Sequence, residues 1–391
     1  MVHNYVMRLN NLQRKIREEE LDAYLVTAQD SIYYLTGATY DTAERPFFVV
    51  IYPDSPPDLV VPELERARMK KAQGIRVVQS YFDYPAAPGG NWYDKINALV
   101  GGISKLGVEP SIPAEISSKL WARDIVTYSL VSELRLIKTD DEIESIRQVA
   151  RYADKGMALL VKNMYNGVSA VELLALSRQL QKEIVKAGDY DPLDNEFITV
   201  GRPAPQSAQP CSVPDYGDRL RRGPLSLVCT LRLAGYAAEC ARTVFLGPPS
   251  GSDAELFHHM ETAREIAFSM IKPGTPCAEI DQATRDYFES QGLSEYILHR
   301  TGHGFGVGSH EAPWLSAGSK DVLEKNMVIS IEPALYLRDT GGFRHSDTVL
   351  VTEDGYEPLT TYPATLAALT LKDRRPLKSL KGGFVRRAAG A

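Results

Sequence analysis

The sequence predicts a two-domain protein whose first domain is α/β, and four observations support this prediction. Its 391 residues exceed the usual length of one domain, and 44% of them are hydrophobic, which is enough to fill two cores. Helical and extended patterns alternate over residues 1–135, and a helix-start signal at Thr139-Asp-Asp-Glu142 then opens a new segment. We therefore expect an N-terminal domain over residues 1–135, a larger domain over residues 136–375 and a flexible tail over residues 376–391.

The first domain shows the pattern of a small α/β fold. Apolar residues recur at helical spacing between Leu9 and Leu21. Residues 22–27, 46–51 and 59–61 then have the composition of buried strands separated by turn residues. No motif that carries chemistry is recognisable in this part of the chain.

The second domain opens on a long amphipathic helix. The hydroxyl of Thr139 can accept from the backbone three residues later, and Glu142 can reach back to the start of the helix. A second signal of this kind at Ser169 and Glu172, and a later helix that ends at Pro273-Gly274, indicate a weak internal repeat. The apolar stripe of the first helix is formed by Ile143, Ile146, Val149, Ala150, Ala153 and Met157.

Composition excludes several classes of partner. A net charge of -6 argues against nucleic acid. No apolar run approaches the roughly 20 residues of a membrane span. The first ten residues lack the basic and apolar segments of a secretion signal, and the four cysteines form no CxxC pair. We therefore expect a cytoplasmic protein without a membrane segment.

Histidines and glycines are concentrated between residues 299 and 310. His299, His303 and His310 alternate there with glycines, which allow the backbone to approach a ligand closely. Imidazoles in such a setting suit proton transfer or metal binding. Downstream, Glu332 ends an apolar strand, and a buried carboxylate requires a partner.

Two further clusters contain charged residues. Glu239 and Arg242 interrupt a run of small apolar residues after Gly235-Tyr236. Arg344, His345 and Asp347 precede another strand. These clusters supply candidates for substrate contacts.

The order of these motifs resembles the creatinase/aminopeptidase P/prolidase family. The N-terminal residues Tyr34-Leu-Thr-Gly37 and Arg45-Pro46 extend the resemblance over nearly the whole chain. It implies an α+β C-terminal catalytic domain with the pita-bread fold, in which duplicated halves surround a curved antiparallel sheet. It also implies a homodimer in which the N-terminal domain of the partner borders the active site. The motifs are Gly235-Tyr236 with Glu239 and Arg242-Thr243, Gly302-His303 with His310-Glu311, Ser330-Ile-Glu332-Pro333, and Arg344 with Asp347.

The resemblance also reveals departures at the metal centre. Metallopeptidases of the family hold two divalent ions with two aspartates, a histidine and two glutamates. In this sequence the corresponding positions are Val228, Glu239, His303, Glu332 and Ser346. Valine cannot bind a metal and a serine hydroxyl is a poor bridge, so we expect no dinuclear site and no metal cofactor.

Creatinase is the metal-free member of the family, and this chain departs from it as well. Arg45 falls where creatinase has an arginine for the substrate carboxylate. The catalytic histidine of creatinase falls at Cys211, and one of its glutamates falls at Ala241. Creatine is therefore not the expected substrate. Cys211 is a candidate nucleophile if a histidine lies nearby, and otherwise a packing residue.

Our leading hypothesis from the sequence is a metal-independent hydrolase. It would cleave a C–N bond other than a normal peptide bond in a small carboxylate-bearing substrate. His303 would be the general acid/base, with Glu332 or Glu239 raising its basicity. Arg45 and Arg344 would hold the substrate carboxylate. The other candidates are Cys211 and His310 for catalysis, and Tyr236 and His345 for substrate binding.

Two alternatives remain open from the sequence. The first is an Xaa-Pro-type metallopeptidase with a single ion on Glu239, His303 and Glu332, because one imidazole and two carboxylates suit several divalent metals. The second is a non-catalytic binding module. Elimination in place of hydrolysis is also compatible with acid/base groups.

Overall fold

The computed structural model describes residues 4–40, 44–189, 195–372 and 376–389. The chain divides into two compact units, Met1–Leu136 and Ile137–Ala391. Within the described residues no helix is long and apolar enough to cross a membrane.

The first unit is a six-stranded mixed sheet flanked by helices. Its strand order is β4-β3-β2-β1-β5-β6, and β1 pairs antiparallel with β2 but parallel with β5. Phe48 and Trp92 lie in its core. The helices are α1 (Tyr5–Glu18), α2 (Gln29–Thr36), α3 (Glu63–Met69), α4 (Trp92–Val100), α5 (Ala114–Ser117) and α6 (Leu130–Leu136), and the strands are β1 (Ala23–Val26), β2 (Phe48–Ile51), β3 (Asp58–Pro62), β4 (Val77–Tyr81), β5 (Lys105–Val108) and β6 (Asp124–Thr127).

The second unit contains two larger sheets. One has the order β19-β11-β10-β8 and the other the order β13-β12-β14-β17-β18. Its strands are β7 (Val168–Ser169), β8 (Glu196–Arg202), β9 (Arg219–Leu220), β10 (Leu225–Leu233), β11 (Tyr236–Leu246), β12 (Gly302–Gly304), β13 (Glu311–Leu315), β14 (Val328–Ile331), β15 (Ala334–Leu337), β16 (Gly341–Arg344), β17 (Asp347–Val351), β18 (Tyr356–Pro358) and β19 (Thr370–Leu371). Its helices are α7 (Asp140–Asn163), α8 (Ala170–Leu174), α9 (Leu176–Ala187), α10 (Gly251–Ser269), α11 (Cys277–Ser290), α12 (Leu366–Leu369) and α13 (Pro376–Ala389).

Helix α7 begins as the sequence predicts. Thr139 accepts from the backbone of Glu142, the Glu142 side chain accepts from Thr139, and the predicted apolar stripe is buried. The helix lies against β10, where Gly156 is required because a Cβ atom there would meet the Cys229 sulfur at 2.2 Å. One face of this sheet is thereby covered, and the opposite face is left for the site.

The two sheets meet beside the site through a short bridge. Ala241 pairs with Ser346. The backbone amide of Glu239 donates to the Thr348 hydroxyl, which in turn donates to the Glu239 carbonyl, at 3.0 Å each. These contacts fix β11 relative to β17.

A buried ion cluster stabilises the same junction. Asp347 accepts from Arg242 at 2.6 Å and from Arg264 at 2.7 Å. Burial raises the pKa of Asp347, but the charges of Arg242 and Arg264 outweigh burial and lower it. Asp347 therefore joins β11, β17 and α10 as an ionised group.

The chain after residue 375 differs from the sequence expectation. Where a flexible tail is expected, the structure has helix α13, and Arg386 contacts Glu172 at 2.7 Å. Gly382 lies close to Tyr165 and Glu172, where a Cβ atom would clash with both side chains. The Gly/Ala-rich composition of this segment does not indicate a helix. The residues that the helix contacts, Tyr165 and Glu172, are distant in sequence.

Candidate active site

A cavity of about 560 Å³ in the second unit contains most of the predicted site residues. Its lining comes from strands β8, β10 and β11, from the segment around Pro210, from the chain between Leu298 and His310, and from Glu332 and Arg344. Its lining consists of Glu196, Ile198, Val200, Arg202, Pro210, Cys211, Val228, Thr230, Glu239, Leu298, His299, Arg300, Phe305, Ser309, His310, Glu332 and Arg344.

Strand register determines which side chains reach the cavity. Thr230 lies opposite both Ile198 and Glu239, and its hydroxyl donates to the Glu239 carboxylate at 2.7 Å. Val228, two residues earlier on the same face, lies opposite Val200 and Ala241. Thr230 and Glu239 thus form a polar part of the cavity wall, and Val228 and Val200 form an apolar part beside it.

His303 is buried at the edge of the cavity, with 3% of its surface exposed. Its backbone amide donates to Ser330, its Nδ1 lies 3.0 Å from the Gly304 carbonyl, and its Nε2 lies 3.2 Å from Glu332 Oε1. Glycine is needed at 302 because a Cβ atom there would lie 2.1 Å from the Ser330 carbonyl oxygen. The close approach of the backbone at Gly302 to that at Ser330 places the His303 imidazole next to Glu332.

Glu332 and Glu239 share one guanidinium. Arg344 Nη1 lies 3.5 Å from Glu332, and Arg344 Nη2 lies 3.1 Å from Glu239. Burial raises the pKa of Glu332, but the hydrogen bond from His303 and the charge of Arg344 lower it to about 2. Burial lowers the pKa of Arg344, whereas Glu239, Tyr336 and Glu332 raise it, with a net increase.

Two other histidines line the cavity. His299 Nε2 lies 2.8 Å from the Tyr336 hydroxyl, and burial lowers the pKa of His299. The ring of His310 lies 4.1 Å from that of His303 in a perpendicular arrangement. Burial, followed by the neighbouring His303, lowers the pKa of His310. Both rings therefore favour the neutral form near pH 7.

Two cavity arginines have no carboxylate within ion-pair distance among the described residues. Arg202 Nε donates to the Ser212 carbonyl at 2.9 Å. Arg300 stacks on Trp314, with its guanidinium carbon 4.6 Å from the ring centre. Sequence reasoning missed both residues and also His299 as a partner of Tyr336.

Tyr236 and His345 are fully buried and contact residues outside the cavity lining, which corrects their prediction as substrate contacts. The Tyr236 hydroxyl donates to Glu142 at 3.1 Å, and His345 lies 2.9 Å from the Ala364 carbonyl and packs on Phe257. The reason is the two-residue period of strands: Tyr236 is three residues from Glu239, and His345 adjoins Arg344. Each therefore points away from the cavity.

The remaining predicted residues have distinct surroundings. Cys211 is exposed and lines the cavity beside Pro210. Arg45 lies in the first unit, where it contacts Asp83 at 2.7 Å and Glu44 at 3.0 Å. Its charge is matched there by two acidic neighbours.

The side chains present do not fit the two-metal centre that the family implies. Val228 packs in an apolar cluster with Val200 and Ala241. The Ser346 hydroxyl is buried and has no hydrogen-bond partner among the residues that the structure describes. Arg344 lies against the carboxylates of the remaining donors, and within the described ranges no group of three or more His, Cys, Asp or Glu side chains is placed to hold a metal ion.

The fold and the site define a two-domain hydrolase with the pita-bread architecture. The chain belongs to metallopeptidase family M24, whose model matches residues 144–353, and residues 8–149 match the creatinase/prolidase N-terminal domain. The predicted family and fold are thus confirmed, as is the prediction of an enzyme that hydrolyses carbon–nitrogen bonds.

Three comparisons cover nearly the full length of both chains. A probable dipeptidase PepE from Mycobacterium bovis is 29% identical over 370 residues, covering 93% of this chain and 96% of its own. A Xaa-Pro dipeptidase structure from Bacillus anthracis is 28% identical with a TM-score of 0.77, covering 93% of this chain and 99% of its own. A prolidase structure from Thermococcus sibiricus is 26% identical with a TM-score of 0.81, covering 94% and 99%.

These findings correct the leading hypothesis from the sequence. The expectation of a metal-independent enzyme that cleaves a non-peptide C–N bond was wrong, because the family is one of metallopeptidases and the matched relatives are dipeptidases and prolidases. The findings favour the Xaa-Pro-type alternative. The similarity to these peptidases extends along nearly the whole length of the chain, at 26–29% identity.

Proposed function

We propose that this protein is a dipeptidase of the Xaa-Pro type. Support comes from the full-length similarity to dipeptidases and prolidases and from a cavity of suitable size for a small ligand. The observation that carries the proposal is the buried His303–Glu332 pair beside that cavity.

The His303–Glu332 pair is suited to the proton transfer that peptide hydrolysis requires. Water adds to the carbonyl carbon, the C–N bond breaks, and the leaving nitrogen takes up a proton. His303 Nε2 and Glu332 Oε1 are 3.2 Å apart, so they can share a proton and release it to the leaving nitrogen. Positioned proton transfer of this kind contributes roughly 100- to 10,000-fold in rate.

Other cavity residues would position this pair and the substrate. Arg344 holds Glu332 and Glu239 in place by contacting both carboxylates. His310 borders the His303 ring and would contact the substrate. Cys211 would face the substrate from the Pro210 side, as a contact or a nucleophile.

Oligomeric state and location are part of the same proposal. We expect a homodimer in which the N-terminal domain of the partner borders the cavity and contributes Arg45. Light scattering of the purified protein measures the dimer directly. We also expect the enzyme to act on small peptides in the cytoplasm.

A panel of dipeptides tests the proposed activity. The purified chain is incubated with Xaa-Pro and non-proline dipeptides, with and without added manganese, cobalt or zinc, while elemental analysis records bound metal. Release of free proline that is lost in H303A supports the proposal. Absence of hydrolysis under every condition refutes it.

A further inference from the structure

Among the described residues, Arg202 is a cavity cation without a direct ion pair, and the charge of Glu239 offsets its own only from beyond ion-pair distance. Arg202 lines the cavity and is partly buried, and among the described residues no carboxylate lies within ion-pair distance of it. Both central carboxylates, Glu239 and Glu332, are already paired with Arg344. A desolvated charge without a partner is costly, so an anionic ligand would stabilise this arrangement.

The position of Arg202 is fixed by the backbone around it. Its Nε donates to the Ser212 carbonyl at 2.9 Å, in the chain segment that also brings Pro210 and Cys211 to the cavity. This contact uses one guanidinium nitrogen and leaves the two terminal nitrogens for a ligand. Those two nitrogens form the fork that binds a carboxylate at two points.

Electrostatics support the same conclusion. Burial lowers the pKa of Arg202, the positive charge of Arg344 lowers it further, and the charge of Glu239 raises it only in part. An anion bound between the two arginines would relieve this repulsion.

An apolar surface lies beside the cation. Val200 and Arg202 are two residues apart on β8 and therefore share a face, at a separation of about 6–7 Å along the strand. Val200 lies opposite Val228, and both line the cavity. A carboxylate on Arg202 would thus place an adjoining apolar group against these valines.

We infer that Arg202 binds the free carboxylate of the substrate's C-terminal residue, and that Val200 and Val228 contact the side chain of that residue. The inference rests on the proposed function and identifies the substrate class as peptides with an uncapped, apolar C-terminal residue. Arg202 is in this account a specificity residue, separate from the His303–Glu332 pair.

The test compares alanylproline with alanylproline amide, which lacks the negative charge. The kcat and KM of each substrate are measured for the natural chain, R202M and R202K. R221M serves as a control, because Arg221 is exposed and outside the cavity lining. In R202M, KM for alanylproline should rise on the order of 10- to 100-fold, which is the effect expected from the loss of one charge-assisted hydrogen bond. For the amide, KM should change by no more than about twofold, as for a substitution that removes no contact.

R202K should fall between the natural chain and R202M, because lysine keeps the charge but loses the two-point geometry. Equal losses for both substrates in R202M, or no preference for the acid in the natural chain, would overturn the inference. If the natural chain hydrolyses neither substrate, the proposed function fails. Titration calorimetry then measures the binding of alanylproline and of its amide, which tests the role of Arg202 separately. Weaker binding of the acid alone in R202M supports its role, whereas equal binding, or no binding by the natural chain, refutes it.

Discussion

Glu239 and Glu332 are joined by a single arginine, because Arg344 contacts Glu239 at 3.1 Å and Glu332 at 3.5 Å. The motif resemblance assigns these carboxylates to two of the positions that hold metal in the family. The guanidinium therefore lies against the oxygens that a cation would use. This relationship distinguishes the site from a metal centre built only of donors.

Removal of Arg344 should strengthen the binding of divalent cations. In R344M, Glu239 and Glu332 would lose their shared cation, and two carboxylates without that positive charge attract a divalent ion more strongly. The dissociation constant for manganese, measured by titration calorimetry, should fall on the order of tenfold or more. R300M is the matched control, since Arg300 lines the cavity but contacts neither carboxylate. Equal affinities in R344M and the natural chain would contradict the expected competition.

The buried Asp347 cluster should dominate the stability of the second unit. In D347N, Arg242 loses its buried carboxylate partner, and removal of one partner from a buried pair costs about 3–5 kcal/mol. Chemical denaturation measures this change in the free energy of unfolding. K325A breaks the exposed Lys325–Glu353 pair and should change it by less than about 1 kcal/mol. Similar values for both variants would show that the Asp347 cluster has no special role.

The stability of the protein should decrease in mild acid through His345. Burial, followed by the charges of Arg242 and Arg264, lowers the pKa of His345 to about 3. In the unfolded chain this imidazole binds a proton below about pH 6.5, but in the folded chain it stays neutral down to about pH 3. Stability from this group is therefore complete above pH 6.5 and is lost as the pH falls toward 3.

H345Q isolates this effect, because glutamine does not titrate. Between pH 7.5 and 5.5, the free energy of unfolding of the natural chain should fall by about 1.4 kcal/mol more than that of H345Q. Urea denaturation at both pH values provides the comparison. Parallel decreases in the two proteins would mean that His345 is not buried in its neutral form.

The sequence predicts the fold well because the motifs that indicate it are local. The capping box at Thr139 and the order of His303, Glu332 and Arg344 along the chain are visible without coordinates. In the structure, Glu332 contacts both His303 and Arg344.

Contacts that depend on strand pairing could not be predicted in the same way. Arg202 reaches the cavity because β8 pairs with β10 in a particular register, and no local pattern specifies this. The prediction that Tyr236 and His345 contact substrate failed for a related reason. The direction of each side chain depends on the geometry of its strand. Both adjoin motif residues in the sequence but point away from them in the structure.

A double-mutant cycle on His303 and Glu332 tests the central claim most directly. The kcat/KM for alanylproline is measured in the natural chain, H303A, E332Q and the double variant. If the two residues transfer protons as one unit, each single change should lower kcat/KM on the order of 100-fold or more, and the double change should cost little beyond either alone. Retention of full activity in H303A, or strictly additive losses, would contradict the account.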